Sequence, residues 1–311
     1  MLAITGAGLF SLKGVMIKLG LGWGLEVEPM MFWRQMLALP FYGVVAVLAL
    51  RRATPETRGH LRSFPTLGKV VVLGALGYYV CTWLDFTGLR YISAQLERMV
   101  LFTYPTTTAL LAWWWLGERF TGRHAVALVV CYVGIAVVML GEGREAGGAN
   151  AVEGLTLDHL KGVGLVLAAA TGFATYSVLS TPQIRRVGSR LFTCLGMSAA
   201  ATCITLHTLL LYGFDPAEML DPTLLLLSLV MAVFSTVLPS LMMAEALHRL
   251  GPGLASAAGN AGPVVTILAA TTVLGEAFGP GSSPRAAGAV CILVGVALAT
   301  RARRAGRDTT P

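Results

Sequence analysis

Two stretches of this sequence share one pattern of proline, small residues and a Gly-Glu pair. Residues 104–120 read YPTTTALLAWWWLGERF, and residues 262–278 read GPVVTILAATTVLGEAF. Pro105 and Pro263 are 158 positions apart, and the Leu-Gly-Glu triplets and the final phenylalanines keep the same separation. This spacing predicts an internal repeat.

The composition around these stretches is typical of a membrane protein. Hydrophobic residues make up 55% of the 311 positions and charged residues 13%, with a mean hydropathy of +0.71. Soluble domains carry roughly 25% charged residues, which coat their surface. The composition also excludes a disordered chain, a coiled coil and a disulfide scaffold. The five cysteines lack CxxC spacing, and no metal or other cofactor is predicted.

Ten segments have the length of ~20 apolar residues that a helix needs to cross a bilayer. The first carries Lys13 and Lys18 and lacks a basic region ahead of it, so we interpret it as a retained helix and not as a signal peptide. The sequence therefore predicts an all-α membrane protein with 10 transmembrane helices, numbered here in chain order: 2–20, 29–50, 68–88, 92–116, 122–140, 161–180, 190–212, 223–245, 253–274 and 285–300.

The basic residues between these segments predict the orientation of the chain. If the N-terminus is cytoplasmic, the inner segments hold fifteen Lys and Arg and the outer segments four. Cytoplasmic loops carry such an excess, so both termini are predicted to be cytoplasmic, in a bacterial plasma membrane. The net charge of +7 has the same cause and does not indicate nucleic-acid binding.

The repeat divides the chain into two halves of opposite orientation. We predict a first five-helix repeat over 1–140, an external linker over 141–160, a second five-helix repeat over 161–300 and a basic cytoplasmic tail over 301–311. Because five is odd, the two repeats are inverted relative to each other. Inverted repeats are typical of secondary transporters, in which two similar halves open a site alternately to either side.

The motifs Tyr104-Pro105…Leu116-Gly117-Glu118 and Gly262-Pro263…Leu274-Gly275-Glu276 resemble those of the drug/metabolite transporter superfamily, EamA type. The resemblance covers nearly the whole chain. It implies a 10-helix carrier with a central cavity between the halves, lined by helices 1, 3, 4, 6, 8 and 9. The second motif departs from the first in having Ala277 where the first has Arg119.

Ionisable residues inside the predicted helices are the first functional candidates, since each costs at least ~2.5–3.5 kcal/mol to insert. Most lie near the predicted outer ends of first-half helices. They fit an outward vestibule in which Lys13, Arg34 and Arg98 attract an anionic group such as a carboxylate. They fit equally a structural ion-pair network between the helices. Glu97 and Asp85 are also candidates for proton coupling, but neighbouring arginines act against the effect of burial on a carboxyl group.

Polar and aromatic residues complete the predicted binding site. In helix 9, Ser256 and Asn260 lie among small residues, where substrate contact and interhelical hydrogen bonding are equally consistent with the pattern. The deeper aromatic residues Trp83, Tyr104 and Tyr176 are candidates for lining a cavity, and each also fits an apolar core. The predicted substrate-binding set is therefore Lys13, Arg34, Trp83, Glu97, Arg98, Tyr104, Tyr176, Ser256 and Asn260.

These features favour a secondary transporter that moves a small organic metabolite by alternating access, with export of an amino-acid-like or other polar solute as the leading hypothesis. A nucleotide-sugar or lipid-linked substrate carrier of the same fold is the main alternative. A channel fits less well, because the charges lie on one side of one repeat. An intramembrane enzyme is not predicted, because neither HExxH nor GxSxG occurs in the sequence. The predicted partners are the small-molecule solute and the lipid bilayer.

Overall fold

The structure is a computed structural model in which every described element is helical. It describes residues 2–101, 103–116, 122–145, 156–213, 215–240, 242, 265–266, 269–274, 287, 290–291 and 294. Predicted helices 9 and 10, the two Gly-Glu turns and the C-terminal tail lie largely or wholly outside these residues, as do residues 146–155 of the predicted linker.

Eleven helices can be followed between residues 2 and 240, and they are numbered here in chain order. They are α1 (Leu2–Gly22), α2 (Val27–Arg51), α3 (Pro55–Arg62), α4 (Phe64–Gly88), α5 (Ala94–Leu101), α6 (Tyr104–Leu116), α7 (Gly122–Glu145), α8 (Leu157–Val187), α9 (Ser189–Tyr212), α10 (Pro216–Met219) and α11 (Pro222–Ser240). Within the described residues, five helices are long and apolar enough to cross a membrane: α2, α4, α8 over Leu157–Ser180, α9 and α11.

The prediction of one continuous helix over 92–116 is wrong, because this region forms two helices. Helix α5 ends at Leu101 and α6 begins at Tyr104. Pro105 lacks an amide hydrogen, so it is tolerated in the first turn of a helix but not in a helix interior. Thr103 closes the end of α5, since both its amide and its hydroxyl donate to the carbonyl of Val100, at 3.1 and 2.7 Å.

A short helix, α3, lies where the sequence indicated only a loop after predicted helix 2. Thr54 caps it, accepting a hydrogen bond from the amide of Thr57 at 3.2 Å, and Pro55 occupies the first turn. Both residues favour a helix start, Thr as an N-cap and Pro because its fixed φ suits that position. None of the residues of α3 is buried.

The helix bundle carries large apolar side chains on its exterior and buries several charged side chains beside its apolar core. Large apolar side chains such as Leu211 (79% exposed) and Val72 (66%) face outward. Charged side chains such as Glu97 (0%) and Asp85 (2%) are buried. An apolar exterior suits contact with lipid, whereas buried charges in a membrane need partners inside the protein.

Glycines allow close approach of helices from the two halves of the chain. A Cβ at Gly74 in α4 would lie 2.4 Å from the Cα of Gly196 in α9. A Cβ at Gly88 would lie 2.6 Å from a methyl group of Val166 in α8. Helix α4 therefore packs tightly against two second-half helices, which positions the side chains of its middle and C-terminal turns between the halves.

α4, α9 and α11 each contain a π-helical segment, over Ala75–Val80, Thr208–Tyr212 and Met231–Val237. A π-helical turn holds one extra residue, so the side chains that follow are rotated relative to a regular helix. Thr236 shows the effect, because its hydroxyl donates to the carbonyl of Met231, five residues earlier, at 3.2 Å.

Candidate functional site

The buried charges of α1, α2, α4 and α5 form one group, here called the charged cluster. Its centre is an ion pair between Lys13 in α1 and Asp85 in α4, with the Nζ atom 2.6 Å from Oδ2. The two side chains are 10% and 2% exposed, so water screens the pair little. The ammonium group of Lys13 also lies 5.4 Å from the ring centroid of Phe86. The charged cluster consists of Lys13, Arg34, Asp85, Glu97 and Arg98.

Arg34 connects α2 to α4 in the first half of the chain and to α11 in the second half. Its Cζ atom lies 5.1 Å from the ring centroid of Phe86 in α4, in a cation–π contact. Its Nη1 atom donates to the hydroxyl of Thr236 in α11 at 3.1 Å. Its Nε atom is buried and has no hydrogen-bond partner among the described residues. The guanidinium of Arg34 is therefore held in place by two contacts, while one of its donors has no partner among the described residues.

Glu97 and Arg98 are adjacent in α5, and both face α1. The Nη2 atom of Arg98 donates to the carbonyls of Ser11 at 3.1 Å and Phe10 at 3.4 Å. Glu97 lies against Gly14, where a Cβ would approach its Oε2 atom to 2.7 Å. The two side chains, about 100° apart on the helix, thus meet successive turns of one neighbouring helix.

A second group, here called the tyrosine cluster, lies between α4, α6 and α8. The hydroxyls of Tyr78 and Tyr176 are 2.6 Å apart and share a hydrogen bond. Tyr104 meets Phe173 edge-on, with ring centroids 5.4 Å apart, and Phe173 meets Tyr176 at 5.6 Å. The tyrosine cluster consists of Tyr78, Tyr104, Phe173 and Tyr176, and it joins a helix pair of the first half to α8 of the second.

The structure separates the predicted site residues into these groups. Lys13, Arg34, Asp85, Glu97 and Arg98 come together in the charged cluster, and Tyr104 and Tyr176 lie in the tyrosine cluster. Trp83 belongs to neither group. Its ring lies 5.5 Å from that of His207 in α9. Ser256 and Asn260 lie outside the described residues.

Lys13, expected as an anion-attracting group, is bound to Asp85 in this structure. The interpretation of these charges as an ion-pair network therefore accounts for Lys13, while Arg34 keeps an unpaired buried donor among the described residues. Lys18 follows another pattern, because its ammonium donates to the carbonyls of Leu89 and Ile92 at 2.8 Å each. These carbonyls follow the C-terminal end of α4, where a cation is favourable.

Sequence reasoning missed three contact residues: Phe86, Thr236 and Tyr78. The ring of Phe86 contacts the cations Lys13 and Arg34, and an apolar ring within an apolar segment gives no sequence signal for such a contact. A sequence signal for Thr236 does exist: Ser235 and Thr236 form a polar pair inside the apolar segment 223–245, which becomes α11. The Nδ1 atom of His207 in α9 lies 2.7 Å from the hydroxyl of Tyr79 in α4.

Among the described residues, no group of three or more His, Cys, Asp or Glu side chains is placed to hold a metal ion.

A further set of ion pairs lies at the ends of α2 and α4, outside the charged cluster. Arg90, after α4, contacts Glu26 at 2.6 Å and Glu28 at 2.8 Å, near the start of α2. Exposed pairs of this kind contribute little to stability and serve mainly to orient the connections.

Long apolar helices with an apolar exterior and a charged interior define an integral membrane protein. The chain belongs to the EamA-like transporter family, whose profile matches residues 1–140 and 160–301. It is therefore a membrane transporter, of the superfamily that its repeated motifs resemble.

Two relatives from Bacillus subtilis (strain 168) carry the same general description. The uncharacterized transporter YcbK is 27% identical over 283 residues, which cover 89% of this chain and 85% of YcbK. The uncharacterized transporter YvbV is 28% identical over 131 residues, 42% of this chain and 38% of YvbV. A crystal structure of a protein with 21% identity matches 99% of this chain and 98% of its own, with a TM-score of 0.62, and shares the fold.

Proposed function

We propose that this membrane transporter moves a small polar organic solute by alternating access between two five-helix repeats of opposite orientation, with ten spans in total. The repeats occupy 1–140 and 161–300, joined by the external linker 141–160 and followed by the tail 301–311. Both termini are cytoplasmic, the membrane is a bacterial plasma membrane, and the direction is export of an amino-acid-like solute.

One observation carries the proposal: the charged cluster, whose members all belong to the first half, is connected by hydrogen bonds to residues of the second half. Arg34 of the first half donates to Thr236 of the second. Thr266 of the second half donates to the carbonyl of Ser11 in α1 at 3.0 Å. Ser11 is also the acceptor for Arg98. A site held between two units changes its access when the units move relative to each other.

The chemistry of the cluster supports a solute that carries a carboxylate or another anionic group. Three cations face two carboxyl groups, which leaves an excess of one positive charge when all are ionised. The guanidinium of Arg34 has a free buried donor among the described groups and presents the planar geometry that suits a carboxylate. The proposed solute-binding residues are Lys13, Arg34, Trp83, Glu97, Arg98, Tyr104, Tyr176, Ser256 and Asn260.

The experiment uses purified protein in liposomes that contain no ATP. Thermal-shift screening of a metabolite panel in detergent first identifies a solute that stabilises the wild type but not Arg98→Ala. That solute is then loaded into the liposomes, and counterflow is measured. A carrier exchanges solute with saturation, whereas a channel shows no counterflow. Absence of any exchange across the panel would contradict the assignment of a small polar solute.

Arg34→Lys tests the site, with Arg58→Lys as its matched control. Lys keeps the charge but not the planar set of donors, so exchange should fall about tenfold, equivalent to about 1.4 kcal/mol. Arg58 lies on exposed α3 and, among the described residues, donates to backbone carbonyls near the end of α2, so its replacement should leave exchange unchanged. Equal rates for Arg34→Lys and wild type would remove Arg34 from the site.

The inverted orientation has a separate test. Single cysteines at positions 119 and 277, in a background without other cysteines, are treated with a membrane-impermeant reagent from outside and inside. The proposal expects labelling from the inside at 119 and from the outside at 277. Labelling of both from one side would overturn the inverted topology.

A further inference from the structure

Two buried carboxyl groups lie side by side in the charged cluster, and the ammonium of Lys13 contacts only one of them. Lys13 binds Oδ2 of Asp85 at 2.6 Å, and the carboxyl of Glu97 lies beside that of Asp85. Neither oxygen of Glu97, nor Oδ1 of Asp85, accepts a hydrogen bond from an N–H or hydroxyl donor of the described residues. Glu97 is fully buried. The pair thus lacks the donors that two ionised carboxylates need.

The other charged groups around Glu97 are directed elsewhere. Arg98, on the same helix, donates through its Nη2 atom to the carbonyls of Ser11 and Phe10, and its Nε atom has no hydrogen-bond partner among the described residues. Arg34, from α2, lies on Phe86 and donates to Thr236. From α1 and α4, Glu97 faces Lys13 and Asp85. An unpaired buried carboxylate is costly, whereas a neutral carboxylic acid can donate its proton to a neighbouring carboxylate.

We propose that Glu97 is the proton-binding site of the transporter, protonated in this conformation and hydrogen-bonded to the ionised Asp85. This inference rests on the proposed function and adds the coupling ion to it. When the site opens to water, the O–H bond of Glu97 breaks and its proton passes to a water molecule. Lys13 remains an ammonium ion and moves from Asp85 alone to a position between both carboxylates.

The absence of a side chain at Gly14 leaves space for Lys13 to move between the two carboxyl groups. Gly14 is the neighbour of Lys13 in α1, and a side chain there would meet the Oε2 atom of Glu97. With hydrogen alone at this position, the carboxyl group of Glu97 reaches the backbone of α1 next to Lys13. We therefore expect a change in the side-chain torsions of Lys13 to bring its ammonium into contact with Glu97.

Infrared spectroscopy of the reconstituted wild type tests the proposal by titration with protons alone, without any solute. A C=O stretching band of a protonated carboxylic acid should be present at neutral pH and disappear on alkalinisation. Labelling with ¹³C-carboxyl glutamate should shift this band, because its source is a glutamate and not Asp85. Absence of the band, or no isotope shift, would overturn the proposal without any variant.

Two variants assign the band to one residue. Glu97→Gln should abolish it, whereas Glu56→Gln, which alters an exposed glutamate of α3, should leave it intact. If Glu97→Gln does not fold, Glu97→Asp keeps a carboxyl group and should remove the isotope shift while retaining a titrating band. A band that persists unchanged in folded Glu97→Gln would refute the assignment.

Transport separates this inference from the proposed function. With the solute identified by the panel, a pH gradient across the liposome should drive accumulation by the wild type and not by Glu97→Gln. If the wild type exchanges solute at a rate that does not change with the pH gradient, proton coupling is refuted and the transporter assignment stands. A titrating Glu97 band in a protein that exchanges no tested solute would contradict the proposed solute class alone.

Discussion

The charged cluster and the tyrosine cluster both join helices in the interior, but by different forces. In the charged cluster, Lys13 and Asp85 attract each other across a region with little water. In the tyrosine cluster, Tyr78 and Tyr176 combine one neutral hydrogen bond with apolar ring contacts. Loss of one ion leaves its partner charged and buried, whereas loss of one hydroxyl leaves the rings in place.

Helix α4 carries a member of each cluster. Tyr78 and Asp85 are seven residues apart, a distance of about 10 Å along a helix axis. Tyr78 lies in the π-helical segment and Asp85 in the regular turns that follow. A movement of α4 would therefore act on both clusters.

The largest effect is expected from Lys13→Met, which leaves Asp85 buried without its cation. Breaking a buried ion pair costs about 3–5 kcal/mol. The thermal unfolding midpoint in detergent should fall strongly, and Lys13→Met/Asp85→Leu should recover most of the loss because no charge remains unpaired. Lys18→Met is the control, with a smaller fall, since Lys18 binds backbone carbonyls. A Lys13→Met protein as stable as wild type would contradict the ion pair.

Two glycine-to-alanine substitutions test how tightly each cluster is packed: Gly77→Ala at the tyrosine cluster and Gly14→Ala at the charged cluster. A Cβ at Gly77 would lie 2.6 Å from Cγ and Cδ2 of the Tyr176 ring, and one at Gly14 would lie 2.7 Å from Oε2 of Glu97. Overpacking costs about 1–3 kcal/mol. Gly77→Ala should reach this range because the ring is held by its neighbours, whereas Gly14→Ala displaces only the end of a flexible side chain and should cost less. The thermal midpoint measures both, and the reverse order would contradict the geometry.

A smaller effect is expected from Tyr176→Phe, which removes one hydroxyl and keeps the ring. The loss of a neutral hydrogen bond costs about 0.5–1.5 kcal/mol. Tyr78→Phe/Tyr176→Phe should add little to the larger single loss, because both substitutions remove the same bond. Tyr132→Phe, at a half-exposed ring in α7, serves as the control and should leave the thermal midpoint unchanged. Fully additive losses would show that the two hydroxyls do not interact.

The smallest effect is expected outside both clusters, at Asp221. Its carboxylate caps α11 and accepts from the amides of Leu224 and Thr223, which lower its pKa below the usual value. Its contribution is therefore present at neutral pH and lost as pH falls through the folded-state pKa. Asp221→Ala should lower the thermal midpoint slightly at neutral pH and not in strong acid. Asp221→Asn, which still caps, should lower it less.

Several of the helices could be predicted closely from the sequence, whereas the break in the fourth could not. Apolar length alone placed the helices that begin at Val27 and Ser189 within two residues. The interruption before Tyr104 depends on Thr103, which closes the end of α5, and on Pro105, which lies in the first turn of α6. Local hydrogen bonds of this kind do not affect the hydropathy averaged over a segment, so hydropathy alone cannot predict the break.

By itself, the sequence determined that the chain is a helical membrane protein and which of its residues carry charge inside the helices. The reason is physical: apolar length and the cost of buried charge depend on composition and position along one segment. Only the tertiary structure decided that Lys13 binds Asp85, that Glu97 lies beside them without a donor of its own among the described residues, and that Tyr78 meets Tyr176. Lys13 and Asp85 are 72 positions apart and Tyr78 and Tyr176 are 98 positions apart, so their distance in space is set by how the helices pack.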